Sequence, residues 1–210
     1  MDLWTPTREW EGQDAYLIGG GPSLTGFDFS RLAGSNVIGC NDAFHLGAEI
    51  VTFCIFGDPS WWQKVKWELE KFEGRVVTNA PTILPYKVPG LLKMLRERDG
   101  IHSGSTLGWN YSTGAAAINL ATSLGAHRIF LLGYDLGNAG SKSHWHAHNG
   151  KVTQDYAFKR FMRGFDMVKQ HLPEGVEVLN VTDGTTKLEA FPKINFEVFW
   201  EIFNQEMVLA

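Results

Sequence analysis

Three consecutive glycines, Gly19-Gly20-Gly21, followed by Pro22, Ser23 and Leu24, interrupt the chain directly after the apolar run Ala15-Tyr16-Leu17-Ile18. A strand that ends in such a turn leaves main-chain N–H groups free of side-chain cover, and turns of this kind curl around anions, phosphate above all. No Gly-Lys-Ser/Thr follows, so it is not a Walker A loop, and the last glycine of the dinucleotide fingerprint is missing. A plain strand-to-helix turn capped by Ser23 or Thr25 fits the same residues. Other polar groups stand in comparable places. Asn41 and Asp42 follow Asn36-Val37-Ile38-Gly39, Asp58 follows a long apolar run, and Gly133-Tyr134-Asp135 follows Arg128-Ile129-Phe130-Leu131-Leu132. In open parallel sheets ligands gather at the carboxyl ends of strands, where these residues sit. At such an end Asp135 can accept from ribose hydroxyls, hold a metal or cap a turn.

Ser112-Thr113-Gly114 opens a small apolar helix over residues 115–124, whose amino end presents unpaired N–H groups and partial positive charge. It is a second candidate phosphate or nucleotide seat, or simply a capped helix. Further on, His144, His146 and His148 alternate along a glycine-rich stretch and share one face if it is extended. Zinc would need further ligands and the cysteines lie in apolar runs, so no metal is expected. An imidazole that titrates near neutral pH on a loop over a strand-end cleft suits general acid or base work. A solvated His/Trp loop used for packing is the plainer reading.

These groups need elements to position them. The chain has 210 residues, enough for one cored domain, and the expectation is a single unit over residues 1–210. Apolar runs at residues 15–18, 36–39, 50–56, 75–78, 128–132 and 176–181 read as strands. Amphipathic stretches at 61–72, 91–98, 153–172 and 195–207 read as helices, with a short one at 27–32. Alternating strands and helices predict an α/β Rossmann-like three-layer domain with a mainly parallel sheet. Residues 137–152 are expected to form a lid. A net charge of -4 and an isoelectric point near 6.0 argue against general nucleic-acid binding, which needs a basic face. Two cysteines, Cys40 and Cys54, make no disulfide framework. Residues 1–14 lack a signal-peptide core and no run has spanning length, so a cytoplasmic protein is expected.

Taken in order, these blocks resemble the bacterial sialyltransferases of glycosyltransferase family 42 and their wider relatives, which include archaeal pterin diphosphokinases. Gly19 to Leu24 resembles the family's Gly-Asn-Gly-Pro-Ser-Leu donor loop, and Cys40-Asn41-Asp42-Ala43-Phe44 its Cys-Asn block. Ser112-Thr113-Gly114 with Gly133-Tyr134-Asp135 is similar to the block that completes the nucleotide pocket, and residues 143–148 to the family's Ser-His-aromatic-x-Gly-His. The resemblance implies a nucleotide-activated donor bound without an obligatory metal. Asn41 would read the base, Asp135 with Ser112 or Thr113 would hold the nucleoside, and His148 would deprotonate the acceptor hydroxyl. Three departures stand out: Gly20 replaces asparagine, Asn110 stands where the family has an arginine, and Gly137 where it has a phosphate-binding tyrosine. Without an arginine to pair with a carboxylate, sialic acid is not the expected sugar.

The expectation is therefore a glycosyltransferase-like enzyme with His148 as base, partnered by a nucleotide or nucleotide sugar. One alternative is a diphosphokinase-like transferase with magnesium held by Asp58 or Asp135. The other is a nucleotide-binding protein without turnover.

Overall fold

The computed structural model describes residues 2–140, 142–146 and 152–209. Among the described residues ten strands form: β1 (Asp14–Ile18), β2 (Val37–Cys40), β3 (Phe53–Phe56), β4 (Arg75–Thr78), β5 (Leu91–Lys93), β6 (Leu95–Glu97), β7 (Thr106–Gly108), β8 (Arg128–Leu132), β9 (Glu177–Val181) and β10 (Lys193–Ile194). The α-helices are α1 (Pro59–Leu69), α2 (Thr113–Ser123), α3 (Asp155–Gln170) and α4 (Phe196–Leu209). Eight strands make one sheet in the order β10-β9-β8-β1-β2-β3-β4-β5, and every neighbouring pair in it is parallel. β6 and β7 form a separate parallel pair.

Side-chain alternation shows why the sheet is covered on both faces. From β1 and β8, Ala15, Leu17, Ile129 and Leu131 point into one core with α2 and Phe165 of α3. Their neighbours Tyr16, Ile18, Phe130 and Leu132 point into the opposite core with Phe199 and Phe203 of α4. Strands with apolar residues at every position can bury both faces, as parallel sheets require. Farther along, Cys54 and Phe56 of β3 meet Trp61 and Leu69 of α1 in a third cluster. The result is the expected three-layer α/β Rossmann-like architecture. Cys40 and Cys54 are buried free thiols, and burial pushes the Cys40 thiol up to about 12.

One element differs in kind from the sequence reading. Residues 91–98 carry helix-favouring Leu, Met, Glu, Lys and Arg, yet they form β5 and β6. Pairing of Val76, Val77 and Thr78 with Leu91, Leu92 and Lys93 extends the sheet, and Met94 is fully buried at the step between the two strands. Tertiary pairing overrides weak local preference here. β7 and β10, of three and two residues, were too short to leave a periodic signal. After the glycine turn the chain makes a single 3-10 turn, Pro22–Leu24, and another follows at Phe29–Leu32 within the stretch expected as a short helix.

The topology sets the site. From β1 the chain moves outward through β2, β3 and β4, whereas β8 returns to the other side of β1. The strand order thus reverses between β1 and β8, and a crevice opens where their carboxyl ends diverge.

Candidate active site

At that crevice lies a cleft of about 450 Å³. Gly19, Gly20 and Gly21 enter it from the end of β1, Asn41 and Asp42 from β2, Asp58 from β3, Gly133 and Tyr134 from β8. Ser112, Thr113 and Gly114 at the start of α2 complete the inner wall, and His144 and His146 also line it. Most residues singled out in the sequence therefore meet in one place. Pro22, Ser23 and Asp135 are not among the lining residues, and His148 lies outside the described residues.

The glycine turn is built differently from an open anion cradle. The Gly19 amide donates to the Leu132 carbonyl at 2.8 Å and the Gly21 amide to the Gly133 carbonyl at 2.7 Å. The Ser23 amide and hydroxyl donate to Asp135 Oδ2 and Oδ1 at 2.7 and 2.6 Å. Expected as free donors, the amides of Gly19 and Gly21 instead join that of Ser23 in stitching the end of β1 to the end of β8. Glycine is needed for this closeness: a Cβ on Gly21 would sit 2.5 Å from the Gly133 oxygen and 2.6 Å from Asp135 Cγ. Asp135, read from sequence as a ligand-facing carboxylate, has one hydrogen bond on each oxygen and is 3% exposed. Burial raises its pKa above the ordinary carboxylate value, with the two Ser23 bonds opposing.

Residues 143–146 pack onto the turn from outside. Trp145 donates through its amide to the Gly20 carbonyl at 3.0 Å and through Nε1 to the Gly19 carbonyl at 2.8 Å. A Cβ on Gly20 would fall 2.7 Å from His144 Cδ2, so the glycine admits the imidazole at this position. Burial lowers the pKa of His144, partly opposed by Asp42. His146 Nε2 stands 4.0 Å from Asp42 Oδ2, both side chains deeply buried, and the His144 and His146 ring centroids are 5.2 Å apart. Asp42 is oriented from its other oxygen by Trp61 Nε1 at 2.9 Å. A carboxylate fixed in this way can orient an imidazole for proton transfer.

The inner wall is equally constrained. Ser112 Oγ accepts from the Ala115 amide at 3.1 Å, capping α2, and Thr113 Oγ1 lies 3.5 Å from Asn41 Oδ1. Asn41 adopts φ +52°, a conformation that asparagine tolerates better than most residues. Tyr134 is buried; its hydroxyl donates to the Gly114 carbonyl at 3.3 Å beside Cys40 Sγ.

Several lining residues carried no sequence signal. Trp109 and Tyr111 form a wall, each held by an arginine from β6 or just beyond it. Arg96 lies 4.0 Å from the Trp109 ring centroid and donates to the Gly57 and Asn79 carbonyls, and burial lowers its pKa to about 10. Arg98 donates to the Tyr111 hydroxyl at 3.1 and 2.9 Å. Asn110 between them is fully buried and exchanges two hydrogen bonds with Gly100. Asn110 and Tyr111 both have positive φ, as does Leu136 across the cleft. Strained conformations of this kind cluster at ligand clamps. The remaining wall comes from α3, through Phe158, Arg160, Phe161 and Phe165. Among the described residues, no group of three His, Cys, Asp or Glu side chains is placed to hold a metal ion.

A parallel α/β sheet with its cleft at the point of strand reversal defines the class: a Rossmann-like fold of the kind that seats nucleotides there. Among solved structures, the fold is similar to that of the sialyltransferase CstII from Campylobacter jejuni in complex with a substrate analogue, cytidine-5'-monophosphate. The two chains are 14% identical over 88% of this chain and 85% of that one, with a TM-score of 0.56. The same enzyme in complex with CMP-3FNeuAc matches at 13% identity over 86% and 85% of the chains, with a TM-score of 0.50. No family model matches the chain, and no curated protein matches it in sequence.

Proposed function

We propose that this protein is a nucleotide-dependent transferase that moves a sugar from a nucleotide-activated donor to an acceptor hydroxyl. The observation that carries the reading is the convergence of Asn41, the start of α2 and two half-buried histidines on one cleft, at the strand reversal of a fold similar to that of a sialyltransferase in complex with cytidine-5'-monophosphate. In this reading Asn41 faces the base, while Ser112, Thr113 and Gly114 bring the positive end of α2 to the nucleotide. Residues 137–152, of which 141 and 147–151 lie outside the described residues, keep the role of lid. His148 keeps the role of general base, and His146, beside Asp42, contributes to the same proton transfer. The acceptor oxygen forms a bond to the anomeric carbon and passes its proton to the imidazole, as the bond from that carbon to the phosphate oxygen breaks.

A magnesium-dependent phosphotransferase is supported less well by the donor set. Asp135 already accepts from Ser23 on both oxygens, and Asp58 Oδ1 caps α1 by accepting from the Ser60 amide at 2.8 Å. The deciding assay follows nucleotide release from a panel of sugar nucleotides, with and without a chelator. Chelator-resistant turnover is expected, and His148→Ala is expected to reduce it about 10²- to 10⁴-fold while nucleotide binding survives. Turnover of a triphosphate that stops with the chelator would transfer the assignment to phosphotransfer. Tight nucleotide binding without turnover on any donor would leave a binding protein.

A further inference from the structure

The cleft is poor in positive charge for the ligand proposed. Its lining holds the carboxylates of Asp42 and Asp58 and, among the described residues, one guanidinium, that of Arg160. A sugar nucleotide carries phosphate, and further charge collects on the phosphate oxygen as the glycosidic bond breaks. The glycine turn has little left to meet it, because the amides of Gly19, Gly21 and Ser23 already donate within the protein and Pro22 has none, which leaves the Gly20 amide alone.

The packing of α3 brings Arg160 to this gap. Gly164 lies against the Asn110 carbonyl so closely that a Cβ would fall 1.8 Å from its oxygen. That contact presses one face of α3 onto the Asn110-Tyr111 wall, and residues four apart on a helix share a face. Arg160 is therefore held one turn before the contact, at the rim of the cleft, with Phe161 and Phe165 inside it. Among the described residues Arg160 forms no ion pair or side-chain hydrogen bond, its one recorded partner being the Phe161 ring 5.8 Å away.

We propose that Arg160 binds the donor's phosphate and stabilises it as leaving group. The inference rests on the transferase reading above. As the bond between the anomeric carbon and the phosphate oxygen breaks, its electron pair stays on the phosphate; the acceptor oxygen takes the carbon and a histidine takes the acceptor's proton. The guanidinium donates N–H bonds to the phosphate oxygens throughout and keeps its own protons, a geometry that suits arginine better than lysine.

Calorimetric titration of the full chain with CMP, UMP, AMP and GMP, and with the four corresponding nucleosides, tests this. Arg160→Ala is expected to weaken the best-bound monophosphate by about ten- to a hundredfold and to leave its nucleoside unchanged. Arg160→Lys is expected to recover part of the loss. Because Arg160 is exposed, the melting temperature without ligand should not move. Unchanged monophosphate affinity in Arg160→Ala, or equal weakening of monophosphate and nucleoside, would overturn the role of Arg160 and leave the transferase reading standing. Failure of the wild-type chain to bind any monophosphate would overturn both.

Discussion

Asp135 accepts from the amide and the hydroxyl of Ser23 across 112 positions of chain, and so joins the two strand ends that flank the cleft. Asp135→Asn places an NH₂ group against one of two donors, and leaving a buried donor unsatisfied costs about 1–3 kcal/mol. Urea denaturation is expected to show a loss of that size. The pH dependence has a definite sign. The folded Asp135 pKa is raised by burial, so its contribution to stability is present below the ordinary carboxylate value and is lost as pH rises through the folded value. Asp135→Asn should remove that decline. His144 behaves oppositely: its folded pKa is lowered by burial, so its contribution is present above the unfolded value of 6.5 and is lost as pH falls through the folded one. Denaturation midpoints of wild type and His144→Gln across this acid range should differ in slope, with the variant flatter. Equal slopes would mean that the imidazole titrates as it does in the unfolded chain. None of these environments is legible locally. The sequence places Asp135 after a strand, but only its distance to Ser23 shows which groups it engages.

At the scale of the element, α2 and the end of β3 shape the inner cleft. Ser112 caps α2, and its replacement by alanine is expected to cost about 1 kcal/mol, read from the denaturation midpoint. Gly57 tests the wall more sharply, because a Cβ there would meet Trp109 Cζ3 at 1.9 Å. Gly57→Ala must displace the indole or the end of β3, with an expected loss of about 1–3 kcal/mol and weaker nucleotide binding. A fully stable Gly57→Ala chain with unchanged ligand affinity would show that Trp109 moves freely. The buried runs of β1, β2, β3, β4, β8 and β9 and the capped start of α2 were readable because burial on both faces writes a continuous apolar signal. β5 and β6 were not, since their pairing with β4 and β7 comes from elsewhere in the chain.

For the molecule as a whole, the sheet is buried between two apolar cores and the cleft lies at one end of it. Phe199 of α4 is fully buried against Tyr16 and Phe130 on the sheet face away from α2. Phe199→Ala is expected to cost about 3–5 kcal/mol in global stability, measured by chemical denaturation. Nucleotide affinity measured under folding conditions should remain unchanged, because among the described residues α4 contributes none to the cleft lining. A parallel loss of affinity would mean that the layer behind the sheet sets the geometry of the strand ends.

The order of apolar runs and glycine turns determined a parallel α/β sheet and placed Asn41, Asp42, Ser112 and Gly133 at strand or helix ends, since both patterns are written within a few neighbouring residues. Which amides are occupied, how the imidazole of His144 packs over Gly20, and why Arg160 reaches the cleft were decided by tertiary contacts alone. Those contacts join Gly21 to Gly133, Trp145 to Gly19 and Gly164 to Asn110, segments far apart in the chain, and a close approach of two backbones leaves no mark in either segment beyond a small residue.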